Sequence, residues 1–193
     1  MVSARASSLE RVDNKQRAPR RGNVFVDESK RADYLLVAAV VVPSETATVQ
    51  KAVRGLMLPG QRRLHMVKEK PSRARTILST FGELGLSVTL YQAGRTYRTE
   101  NQRREACLRR LVQDVSAADH SRLLLERDES LVKSDRRVIQ REHKRLGCSF
   151  SYDHDVAAQE PLLCIPDAVA WAWGRGGDFR RRAELLVTDV VRL

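Results

Sequence analysis

Carboxylates fall at three places in this chain where an unpaired negative charge is costly. Asp27 and Glu28 end the short apolar run Val24-Phe25-Val26. Glu126 follows three consecutive leucines, and Asp167 interrupts the most apolar stretch of the chain, LLCIPDAVAWAW. Charged carboxylates are rarely buried unless they are paired or bound to a cation. Acids that converge at one end of a sheet repel each other, and a divalent cation with oxygen ligands, magnesium or manganese, relieves that repulsion. Two such ions can clamp an attacking water and the leaving oxygen of a phosphodiester.

Each acid also has a plainer reading. Asp27-Glu28 could open an ordinary turn. Glu126 could pair with Arg127 or with a neighbouring helix. Asp167 follows Pro166 and could cap a helix that begins there. Asp128 and Glu129 read as caps of the next helix. His65 stands among Arg62, Arg63 and Lys68, as a proton shuttle, a phosphate contact or a plain surface histidine. His120, His143 and His154 have no ligand-like spacing, so no zinc site is expected. Gly174-Arg175-Gly176-Gly177 follows a helix instead of joining a strand to one, which makes a poor phosphate loop. Trp171 and Trp173, two apart on a helix, cannot both face the core.

The elements that must position these residues follow from periodicity. Val24–Val26 and the nine-residue apolar run Tyr34–Val42 read as an antiparallel hairpin. The second run is apolar on both faces and belongs inside a covered sheet. Pro43-Ser44-Glu45 opens a helix to about Leu56, with Pro59-Gly60 as a stop. Residues 61–70 are ambiguous and have an extended reading. Pro71-Ser72 opens a second helix that ends near Gly85. Leu86–Tyr91 alternates as a strand, and residues 99–118 form a helix. Arg122–Glu126 is a short strand. Leu131–Leu146 is a charged helix closed by Gly147. Cys148–Tyr152 alternates again. An apolar helix spans Leu162–Trp173, and a last helix covers about Asp178–Val191. Strands alternating with helices give an α/β fold with a largely parallel sheet led by a hairpin.

Composition sets the outer bounds. The chain has 193 residues, one domain with an appendage. No apolar run approaches a membrane span. The N-terminus has no apolar h-region, so no secretory signal is expected. Three widely spaced cysteines without a CxxC argue against a disulfide framework and set a reducing, cytoplasmic expectation. The net charge is +11, and 28 of the 35 basic residues are arginine. That balance draws a chain toward polyanions, with nucleic acid the commonest. Arginine-rich usage from a GC-rich genome accounts for the same composition. Residues 1–22 carry six basic and two acidic residues and read as a disordered basic arm, leaving a domain over residues 23–193.

The segment Val24-Phe25-Val26-Asp27-Glu28-Ser29, followed by the long apolar strand, resembles the opening of an uncharacterised bacterial and phage family with a ribonuclease H-like fold. His65 in Leu64-His65-Met66 matches that family's histidine segment, and Asp167-Ala168-Val169-Ala170 matches its late-helix motif. Pro166 stands where the family usually has alanine. The resemblance spans about residues 23–175. It implies a ribonuclease H-like mixed sheet flanked by helices, with metal ligands at Asp27, Glu126 and Asp167.

The resulting expectation is a metal-dependent nuclease acting on DNA or RNA with Mg2+ or Mn2+. Glu28 would be an auxiliary ligand or orienting base, and His65 would assist proton transfer. Arg62, Arg63, Lys68, Arg20 and Arg21 would contact the phosphate backbone. The products expected for this fold carry a 3′-hydroxyl and a 5′-phosphate. The alternatives are a non-catalytic nucleic-acid-binding module on the same fold and an accessory protein, in a homodimer or larger assembly, docking through a tryptophan and the helix at 131–146.

Overall fold

Asn23–Ser29 (β1) and Tyr34–Val41 (β2) pair antiparallel, and the apolar side chains of β2 dictate where the hairpin lies. Leu35, Val37, Ala39 and Val41 are buried toward one side, and Tyr34, Leu36 and Ala38 toward the other. Such a strand is stable only inside a sheet covered on both faces. The computed structural model describes residues 21–30 and 34–193. In it β2 lies between β1 and Ser87–Ala93 (β3), which pairs antiparallel with it.

Arg122–Glu126 (β4) runs parallel beside β1, and Ser151–Asp155 (β5) runs parallel beside β4. Val187–Arg192 (β6) adds a parallel edge strand to β3. The strand order is β5-β4-β1-β2-β3-β6. Only β2 opposes the others, so β1 and β4 end at the same edge of the sheet.

Helices cover both faces. On one side lie Thr46–Leu56 (α1), Pro71–Glu83 (α2), Cys164–Arg175 (α5) and Gly177–Glu184 (α6). On the other lie Glu100–Ala117 (α3) and Glu129–Leu146 (α4). The spacing of Ala74, Ile77, Leu78 and Phe81 turns one stripe of α2 inward, and all four are buried. Helix α5 is apolar almost all round, as a helix packed across β1 and β2 must be. Pro166 occupies its first turn, where a missing backbone N–H breaks no intrahelical bond. Gly147 ends α4 in the left-handed region at φ 64°, where a Cβ would be strained.

Three expected elements differ. The last helix stops at Glu184, and residues expected to continue it form β6. Val187, Val190 and Val191 are β-branched, and β3 offered an open edge to pair with. Residues 61–70 form no strand. They make a loop with one 3-10 turn at Met66–Lys68, in which Leu64 and Met66 are buried anchors. Strand β5 starts at Ser151, three residues later than Cys148. Among the described residues no helix is long and apolar enough to cross a membrane. Residues 1–20, most of the expected basic arm and Arg20 within it, lie outside the described residues.

Candidate functional site

Strand alternation divides Asp27 from Glu28. Phe25 packs on the α5 side of the sheet, while Val24 and Val26 pack on the α3 side. With a period of two, Asp27 follows Phe25 and Glu28 follows Val26. In β4, Leu124 faces the α5 side, and Glu126 shares its parity. The parallel register pairs Val26 with Leu125, so Asp27 and Glu126 follow side by side at the strand ends. Asp167, in the first turn of α5, completes the group from above the sheet. That turn carries the positive end of the helix dipole, which favours a carboxylate there.

Asp27, Glu126 and Asp167 line one open cavity of about 380 Å³, together with Arg63, His65 and Trp171. The loop after α1 closes its side. Leu64 and Met66 point into the core, which leaves Arg63 and His65 on the cavity. The Met66 backbone N–H donates to Asp167 Oδ2 at 3.0 Å and pins the loop to α5. Asp27 Oδ1 accepts from the Glu28 backbone N–H at 2.7 Å. Arg63 Nη1 donates to Glu126 Oε1 at 2.9 Å.

The electrostatics reflect this convergence. Burial holds the Asp27 carboxyl well above the usual range, and the charges of Glu126 and Asp167 push it further up. Arg104 and Arg63 oppose that rise. Burial also raises Glu126; Arg63 opposes it, and Asp167 adds to it. Burial and like charges both disfavour ionised carboxylates, and that is the situation a bound cation relieves.

Glu28 also borders this cavity, but its carboxylate is tied down on the other face of the sheet. Its carboxylate accepts a hydrogen bond from the Tyr34 hydroxyl at 2.7 Å and pairs with Lys30 at 3.0 Å and with Arg104. Arg104 in turn grips Asp135 through Nε at 2.6 Å and Nη2 at 2.7 Å. Asp135 also meets His154 Nε2 at 3.1 Å. Burial works to raise the Asp135 carboxyl, but the Arg104 and His154 hydrogen bonds outweigh it and hold it low. This buried network joins β1, β2, α3, α4 and β5 directly behind Asp27. Arg104, Asp135 and His154 carry no motif. The one signal in the sequence was the placing of Asp135 and His154 on otherwise apolar faces.

The plainer readings resolve individually. Asp128 caps α4, accepting from the Ser130 backbone N–H at 3.0 Å. Glu126 pairs with Arg63, whereas Arg127 donates to the His154 carbonyl at 2.8 Å. Asp167 lies inside α5, which starts three residues before it, so it is not a cap. His65 Nδ1 is buried without a hydrogen-bond partner. Arg62 and Lys68 are exposed on the cavity loop. Arg21 is at the opposite end of the sheet, bonded to Ser121 at 3.2 Å and paired with Asp119. Arg21 lies six positions before Asp27 along an extended segment, about 20 Å at the usual rise. Arg21 therefore stands away from the acid cavity.

Among the described residues, no group of three or more His, Cys, Asp or Glu side chains stands ready to hold a metal ion as placed. The donor types nevertheless suit a hard divalent cation: three carboxylates from three elements line one cavity, and burial and mutual charge raise two of them.

The mixed sheet, with its leading hairpin and helices on both faces, defines an α/β protein of the ribonuclease H-like fold class. A solved structure with this architecture is RNase HII in its complex with PCNA from Archaeoglobus fulgidus. The TM-score is 0.54 at 10% identity, and the match covers 80% of this chain and 73% of that one. A likeness at that identity is a likeness of fold. No protein-family model matches the chain, and no curated protein matches it.

Proposed function

We propose that this protein is a divalent-metal-dependent nuclease. The observation that carries the reading is the convergence of Asp27, Glu126 and Asp167 in one cavity, where burial and mutual charge raise Asp27 and Glu126. A ribonuclease H-like fold and a whole-chain net charge of +11 support it. Asp27, Glu126 and Asp167 would hold Mg2+ or Mn2+, which supplies Lewis acidity to a phosphodiester and lowers the pKa of an attacking water.

The remaining residues bind and orient. Arg62 and Lys68, exposed on the loop that borders the cavity, would contact phosphates. Trp171, one helical turn beyond Asp167, gives the cavity a flat apolar wall. His65 presents a ring to the cavity and can carry a proton to or from the reacting oxygens. Glu28 is a positioning residue: its ties to Tyr34 and Arg104 fix the end of β1 and so the direction of Asp27.

The test is cleavage of labelled single-stranded, duplex, hybrid and branched DNA and RNA in Mg2+, Mn2+ or EDTA. Metal-dependent cutting lost in Asp27→Asn is the expected result. A second reading, a nucleic-acid-binding module without catalysis, draws on the Arg63–Glu126 pair, which already neutralises one acid. It predicts binding in every buffer, cutting in none, and no effect of Asp27→Asn.

A further inference from the structure

We propose that Arg63 is a resident counter-cation of the acid cluster, which yields Glu126 to a divalent cation when a nucleic-acid phosphate draws its guanidinium away. This rests on the reading of the cavity as a metal site. It adds a coupling between metal and substrate that the acids alone do not provide.

The geometry carries it. Arg63 Nη1 stands 2.9 Å from Glu126 Oε1, so the guanidinium occupies the lone-pair side of one expected ligand. A divalent cation binds carboxylate oxygens at roughly 2.0–2.6 Å. A cation on the same carboxylate would sit close beside the guanidinium, and the two positive charges would repel. Arg63 is anchored at its backbone by buried Leu64, but its side chain is 39% exposed, so the guanidinium has a path to solvent. The other arginine acting on Asp27, Arg104, is 7% exposed and locked onto Asp135 and Glu28, so it has no such path.

A phosphate is the natural competitor. The planar guanidinium binds phosphate bidentately, and Arg62 and Lys68 on the same loop would bring the backbone to it. Once Arg63 turns to phosphate, Glu126 is left beside Asp27 and Asp167 with its main counter-charge gone. A cation then binds more tightly than it would without nucleic acid. By linkage the cation must strengthen nucleic-acid binding by the same factor.

The experiment measures Mn2+ binding by electron paramagnetic resonance in full-length wild type, Arg63→Gln, Glu126→Gln, and Arg63→Gln/Glu126→Gln. Circular dichroism confirms that each variant is folded. Arg63→Gln is expected to bind Mn2+ about fivefold more tightly than wild type, the scale of a part-exposed ion pair, and the double variant loses the gain. In a second arm, fluorescence anisotropy follows a short cleavage-resistant 2′-O-methyl oligonucleotide. Mn2+ strengthens its binding to wild type, and the strengthening shrinks in Arg63→Gln. If Arg63→Gln binds Mn2+ no more tightly than wild type while Glu126→Gln binds it more weakly, the counter-cation role is overturned and the metal site stands. If neither wild type nor Arg63→Gln binds Mn2+, the metal reading and the coupling fall together.

Discussion

Asp27 and Glu28 are neighbours in the chain and face opposite sides of the sheet. Both border the acid cavity, but Asp27 shares its face of the sheet with Glu126 and Asp167, while the Glu28 carboxylate is tied to Tyr34, Lys30 and Arg104. Their substitutions should therefore fail differently. Glu28→Gln leaves the buried Arg104 guanidinium short of a charged partner and is expected to cost about 1–3 kcal/mol of stability. Asp27→Asn keeps the fold and removes metal-dependent cutting. Thermal melts beside cleavage assays separate the two, and equal loss of stability in both variants would contradict the division.

The Arg104–Asp135 fork should be the most sensitive polar contact in the protein. Asp135 is 1% exposed and also bonded to His154. Removing one partner strands a buried charge, at a cost of about 3–5 kcal/mol. Urea unfolding of Arg104→Ala and Asp135→Ala should show such losses, and the double variant should lose less than their sum.

Stability should depend on pH through the acid cavity. Unfolded Asp and Glu ionise near pH 4, whereas folded Asp27 and Glu126 hold their protons to higher pH. Between those limits the native state binds more protons, so the contribution of these groups to stability falls as pH rises. Above the folded values the loss is complete and constant. Asp27→Asn removes its share. Without metal it should melt above wild type near about pH 8 and converge with wild type toward about pH 4. An offset unchanged by pH would contradict this origin.

Divalent cations should raise the melting temperature of wild type, because a ligand that binds only the folded state stabilises it by mass action. The shift should be absent in Asp27→Asn/Asp167→Asn. A similar Mg2+ or Mn2+ shift in both proteins would place cation binding elsewhere.

Nucleic-acid affinity should fall steeply with salt. Arg62→Ala and Lys68→Ala should each make the salt dependence shallower by about one unit of slope. Arg21→Ala should leave cleavage unchanged, since Arg21 is held by Ser121 and Asp119 at the far end of β1. Filter binding across a salt series, with cleavage in parallel, tests all three.

Patterns of neighbouring residues determined much of this protein. The two-sided apolarity of residues 34–42 required a covered strand, and the alternation of hydrophobic runs with helical stripes required an α/β sheet led by a hairpin. The acids at 27, 126 and 167 drew attention because each broke a local apolar pattern, and burial of a carboxylate is costly enough to demand a reason. Local patterns did not determine the edge strand at Val187–Arg192, because its choice between helix and strand depends on the open edge of β3, about a hundred residues earlier. They did not reveal that Arg63 would reach Glu126, or that Arg104, Asp135 and His154 would close behind Asp27. Those contacts join residues 19 to 63 positions apart. Sequence spacing fixes which face of its own element a side chain occupies. Which faces meet is decided by the packing of the whole sheet and its helices.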